Sequence, residues 1–171
     1  MPFIKISSTT GAEIVTTADA KAYMRVDTTT DDTLIGDMIT QARIWCENYI
    51  SKDIVAKTRV YFDEEVSARI TLPFAPVSSI TTVKSEAVDA TYKSYGVDKD
   101  ILELQSLPAK DVEVTYATAG LSDKLLEQAI LQLVSTYYDN RADFIVMQGV
   151  SYVQVPTSVK HILNAYKEPF I

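Results

Sequence analysis

The sequence predicts an α+β protein, a helical bundle of about four helices carrying an antiparallel β-rich insertion between the second and third helices. Three observations predict it. Apolar residues recur at three- and four-residue steps in two long stretches, Leu34 to Ile50 and Leu125 to Tyr138. Between them, the residues from Lys57 onward form short runs that are β-branched or aromatic and mostly alternating. Finally, 171 residues with 47% hydrophobic and 23% charged side chains suit one domain that buries its own core. The expected division is a single domain over 1–171, with the helical body at 12–56 and 120–171 and the β insertion at 57–119.

Each element has a local reason. Thr16 followed by Asp19 is a capping-box start, and Ala18 to Arg25 is rich in helix formers, which predicts a helix of about two turns. The cap-prone run Asp27 to Asp32 precedes Ile35, Met38, Ile39, Ala42, Trp45, Cys46, Tyr49 and Ile50, an amphipathic helix from about Asp31 to Ser51. Strands are expected at Thr58–Phe62, Ala68–Leu72, Ser79–Val83, Ala90–Tyr95 and Val112–Tyr116, with Ile101–Leu104 as a further one. Asp63-Glu64-Glu65, Pro73 with Pro76, Gly96 and Pro108 are the expected turns and breaks.

Ser122 is the expected N-cap of the third helix, with Asp123 in its favourable first turn. Its stripe is Leu125, Leu126, Ala129, Ile130, Leu133, Val134, Tyr137 and Tyr138. Pro156-Thr157 opens a last helix with Val159, Ile162, Leu163 and Tyr166 on one face, and Pro169 ends it.

Composition narrows the function. Sixteen Lys and Arg against twenty-three Asp and Glu leave a net charge of −7, which disfavours holding phosphate backbones tightly. Cys46 is the only cysteine, so neither an intramolecular disulfide nor a Cys-rich zinc site can form. The first residues lack a signal peptide's apolar region, and no apolar run nears the roughly 20 residues that span a bilayer. A cytoplasmic, soluble chain with no membrane partner is expected.

Catalytic chemistry finds little to stand on. His161 is the only histidine and has no acid or cysteine within one turn of its helix; H-x-x-H and D-x-D-x-D-G spacings are lacking. Asp31-Asp32 and Asp63-Glu64-Glu65 are the tight acidic clusters, best read as a helix N-terminus and a turn between strands. There is no G-x-x-x-x-G-K-[ST], G-x-G-x-x-G or G-x-S-x-G. Cys46 lies within its helix's apolar stripe and is expected in the core. Lys84, Lys93 and Lys99 are interleaved with acids and read as solvated positions. No catalytic residue, cofactor or metal site is therefore expected.

The segment Phe144 to Val155 stands apart. It is about twelve residues long, without helix or turn chemistry, and too apolar for disorder. Its last six residues have strand character. Such a segment either folds back as a local flap or adds onto a neighbouring chain, and Phe144, Ile145, Val146, Met147, Val150, Tyr152, Val153 and Val155 are the candidate subunit-interface residues.

Several stretches resemble the head-tail connector proteins of long-tailed bacteriophages, also termed head completion or adaptor proteins. They are Ala18 to Asp27, Asp31-Asp32-Thr33-Leu34-Ile35, Ala42-Arg43 with Glu47-Asn48-Tyr49, Leu72-Pro73 with Pro76 to Val83, Val112 to Tyr116 with Ala119-Gly120, Tyr137 to Arg141, and Pro156 to Tyr166. Where many members carry a proline before the third helix, this chain has Leu121-Ser122-Asp123-Lys124.

The resemblance implies a non-enzymatic virion subunit at the head-tail junction, made in the host cytoplasm. It implies a ring of copies, usually dodecameric, under the portal protein, extending the DNA channel and docking a neck or tail protein while DNA passes without sequence-specific binding. It also implies that the connection between the last two helices lies at subunit contacts. The competing readings are a neck stopper or tail-completion protein, a soluble adaptor of cellular origin, and a small metal-dependent hydrolase using Asp31, Asp32 or Glu47.

Overall fold

A computed structural model describes residues 2–140 and 156–167. The chain divides into two compact units, Met1–Ala12 with Lys52–Leu121, and Glu13–Ser51 with Ser122–Ile171. The first is built of strands and the second of helices, so the α+β class holds, with the β-rich region lying between the second and third helices in sequence.

The β unit opens with an element the composition did not announce, β1 (Phe3–Thr9). It continues with β2 (Lys57–Val66), β3 (Ile70–Thr71), β4 (Val77–Ser85), β5 (Val88–Asp89), β6 (Tyr92–Tyr95), β7 (Ile101–Leu104) and β8 (Ala109–Thr118). Two antiparallel sheets result, one ordered β1-β2-β8-β4-β5 and the other β3-β7-β6. Alternation decides what each strand buries: Val112, Val114 and Tyr116 of β8 point inward with Tyr61 and Val83 from its neighbours and Leu102 and Leu104 of the smaller sheet. Burying each such aliphatic side chain contributes roughly 1.5–3 kcal/mol.

One expected turn is instead strand. Asp63-Glu64-Glu65 continues β2, because β8 is long enough to pair with it: Asp63 faces Val112, and Glu65 faces Lys110. The breaks at Pro73–Pro76, Gly96 and Pro108 hold, the last two prolines of that set following cis peptides. β1 carries almost no burial signal, since six of its seven residues are exposed and only Ile4 is half-buried. Its signal is pairing, with Ile4 opposite Tyr61 and Lys5 opposite Val60.

The helical unit comprises α1 (Thr17–Met24), α2 (Asp32–Ile50), α3 (Lys124–Asp139) and α4 (Thr157–Asn164). The capping box at α1 forms: Thr16 Oγ1 accepts from the Asp19 N–H at 3.1 Å, and Asp19 Oδ2 accepts from the Thr16 N–H at 3.1 Å. α2 buries Ile35, Met38, Ile39, Ala42, Cys46 and Ile50. α3 buries Leu126, Ala129, Ile130, Leu133 and Val134, and α4 adds Val159 and Leu163.

Two expectations at α3 and one at α4 shift. Asp123, not Ser122, is the N-cap, its Oδ1 accepting from the Leu125 N–H at 2.7 Å. A carboxylate at that place satisfies an orphan amide and meets the positive helix end together. Leu125 leaves the stripe and is 52% exposed, because the buried face runs through Leu126 and its 3–4 partners. The last helix stops at Asn164, before Pro169, which lies outside the described residues.

Candidate assembly surfaces and buried ionic centres

Within the β unit, Asp53 is a buried carboxylate encircled by donors. Arg59 Nε and Nη2 reach it at 2.8 and 2.7 Å, Lys57 Nζ at 2.9 Å and Thr118 Oγ1 at 2.8 Å. The Arg59 Cζ also lies over the Phe74 ring, 3.6 Å from its centroid. Burial pushes the Asp53 carboxyl up, but the hydrogen bonds from Arg59 and Lys57 outweigh that and hold it below its ordinary value. This is a closed structural centre, since all four hydrogen-bonding residues are buried.

The helical unit has its own centre. Arg43 Nε reaches both oxygens of Glu13 at 3.0 and 2.8 Å, Arg43 Nη1 reaches Glu47 Oε2 at 2.7 Å, and Thr40 Oγ1 donates to Glu13 Oε1 at 3.1 Å. Burial pulls the guanidinium's pKa down, but the Glu13 and Glu47 contacts overcome that, so Arg43 stays a firm cation. Among the described residues, no buried side-chain nitrogen or oxygen lacks a partner. Sequence reasoning singled out neither centre as a site. The available signal was a charged pair at i, i+4 inside an apolar stripe, Arg43 and Glu47 between Ala42 and Ile50.

The residues considered for chemistry disperse. Asp31 Oδ2 accepts from the Tyr138 hydroxyl at 2.7 Å, and Asp32 Oδ1 pairs with Lys21 Nζ at 2.7 Å. Glu47 sits fifteen residues further along α2 than Asp32, roughly 22 Å at helical rise, so these carboxylates cannot share one ion. Among the described residues, no three His, Cys, Asp or Glu side chains could hold a metal. Cys46 is fully buried, and burial raises its thiol to about 12, as core placement requires. His161 is exposed on α4. No described helix is long and apolar enough to cross a membrane.

The candidate interface residues Phe144, Ile145, Val146, Met147, Val150, Tyr152, Val153 and Val155 lie outside the described residues. Among the described residues, the five-stranded sheet presents two edge strands that pair on one side alone. β1 closes one side of the five-stranded sheet and β5 the other. β5 follows a two-residue hairpin loop, Glu86-Ala87, both residues with positive φ as such loops need. It borders a groove of about 500 Å³ lined by Glu86, Val88, Asp89, Thr91, Leu104 and Lys110, among others.

A family model described as head completion protein matches residues 13–168. No curated protein matches the chain. Solved structures share its fold at low identity. A chain in the neck of an empty gene transfer agent (GTA) particle, computed with C6 symmetry, aligns with a TM-score of 0.73 at 17% identity, covering 99% of this chain and 97% of that one. A chain of the native GTA virion aligns at 0.70 and 18%, with the same coverage. A chain in the neck of the native particle, computed with C12 symmetry, aligns at 0.67 and 16%, again covering 99% and 97%.

Proposed function

The chain belongs to the head completion protein family, and on that premise we propose that it is a non-enzymatic structural subunit of a tailed-phage-like virion, seated at the neck where head joins tail. Copies form a ring under the portal protein, extend the DNA channel, and offer a face to the next neck or tail protein. The observation that carries this reading is the extent of the likeness. The family match runs through 156 residues of both units, and the fold likeness to the GTA neck chains covers 99% of the chain.

Charge supports the same reading. Of the net −7, the helical unit holds −5: seven Lys and Arg against twelve Asp and Glu over 13–51 and 122–171. A channel through which DNA slides needs surfaces that do not retain phosphates. The C6 and C12 symmetries of the related necks support a cyclic arrangement, in which one surface of each copy meets a different surface of the next. Phe144 to Val155 is part of that contact in this reading.

The test is the native mass by light scattering over a concentration series, with negative-stain images of the most concentrated sample. Open-centred rings are the expected result. A chain that forms no ring alone, and no second ring stacked on a purified portal, overturns the reading.

A further inference from the structure

The two edges of the five-stranded sheet, which no other described strand pairs, differ in length, charge and shape. β1 offers seven residues, with Phe3 63% exposed, Ile6 47% exposed and Lys5 as its single charge. It has no proline within the strand; Lys5 and a register shift between Ile6 and Ser8 are its edge-protecting devices, and the shift confines its regular part to Phe3–Ile6.

The opposite edge is recessed and carries Glu86 and Asp89, with Lys84 opposite Asp89 and Lys110 in the groove beside them. Val88 is 69% exposed between Glu86 and Asp89, and the hairpin is tied down where Glu86 N–H and Ser85 Oγ both donate to the Lys110 carbonyl, at 3.1 and 2.9 Å. Ala90 N–H donates to the Val83 carbonyl at 2.8 Å, prolonging the pairing past β5. The groove of about 500 Å³ opens beside this strand. Counted through four antiparallel pairs, β1 and β5 run in the same direction. A neighbour related by a cyclic rotation therefore continues the sheet without reversing it.

We propose that the β1 edge of one copy seats on the β5 edge of the next, Phe3 entering the groove and Lys5 facing Glu86 and Asp89, so that neighbouring sheets join edge to edge. The occupant is a second copy of this chain, chosen by the match of Lys5 to Glu86 and Asp89 on the hairpin and by the common direction of the two edges. This contact is heterologous, the kind that closes a ring rather than stopping at a dimer. The inference rests on the ring reading above and names a contact within it.

The test is disulfide trapping in the full chain. A Phe3→Cys/Val88→Cys variant, oxidised at high concentration, is expected to give a ladder of covalent multimers beyond the dimer, while Phe3→Cys or Val88→Cys alone, with the native Cys46 buried, gives none beyond a dimer. Both substituted positions are exposed, and circular dichroism verifies the fold. Lys5→Glu is expected to weaken self-association several-fold, and Lys5→Glu/Asp89→Lys to recover it. Dimers alone, no cross-link, or a reversal that changes nothing overturns the edge contact. If the wild type still images as rings, the ring reading stands without it; if it forms none, alone or on a portal, both fail.

Discussion

The guanidinium of Arg43 in the middle of α2 closes on the carboxylate of Glu13, thirty residues earlier, with Nε within 3.0 Å of both oxygens. That contact holds the chain just ahead of α1 against the second helix, and Glu47 completes the grip one turn along at 2.7 Å. It is a tertiary clamp in which two of the three charges, Arg43 and Glu47, lie inside the apolar stripe of α2.

Arg43→Met is expected to destabilise the protein by about 3 kcal/mol, because it leaves two carboxylates without their cation. Glu13→Gln/Arg43→Met/Glu47→Leu together is expected to recover most of that loss. Urea unfolding midpoints of the two variants check it; equal losses in both would show that the clamp's charges are not what binds it.

Asp53→Asn is expected to cost about 3 kcal/mol at neutral pH, since Arg59 and Lys57 then lose their buried counter-charge. The Asp53 carboxyl is held below its ordinary value in the folded chain. Its contribution is therefore complete above the unfolded value of about 3.9 and is lost as pH falls through the lower folded value. Stability curves of wild type and variant should stay parallel above about pH 5 and converge below about pH 4; a gap that persists into strong acid would contradict this.

Gly120 has φ +76, and a β-carbon there would stand 2.9 Å from both the Ala56 nitrogen and the Ile54 oxygen. Neither backbone atom can yield cheaply, as Leu121 N–H also donates to Ile54 O at 2.9 Å. Gly120→Ala is expected to lower stability by about 2 kcal/mol, read by thermal unfolding. A loss below half of that would mean the strand crossing relaxes.

Val153→Asp/Val155→Asp is expected to abolish ring assembly while leaving a folded monomer, if the segment from Phe144 to Val155 lies between subunits. Light scattering and circular dichroism together decide it. Rings of unchanged mass would remove the segment from the interface.

Much of the molecule was legible because its signals are local. Thr16 with Asp19 wrote the start of α1, and the 3.6 period of Ile35 through Ile50 placed α2 to within a residue of its ends. Where the reading failed, a non-local partner decided the outcome. Asp63-Glu64-Glu65 has turn composition and becomes strand because β8 supplies Val112 and Lys110 opposite it. β1 was missed because an edge strand with one half-buried residue has no second face to pattern.

By itself, then, the sequence determined the class, most of each helix face and the order of the helices around the β region, all of which follow from period and capping within a few residues. Only the tertiary structure decided that the first residues join the β unit, that Arg43 reaches Glu13 and Arg59 reaches Asp53, and that β1 and β5 bound the five-stranded sheet. Pairing between distant segments depends on register and burial in three dimensions, and no periodicity within a single stretch encodes its partner.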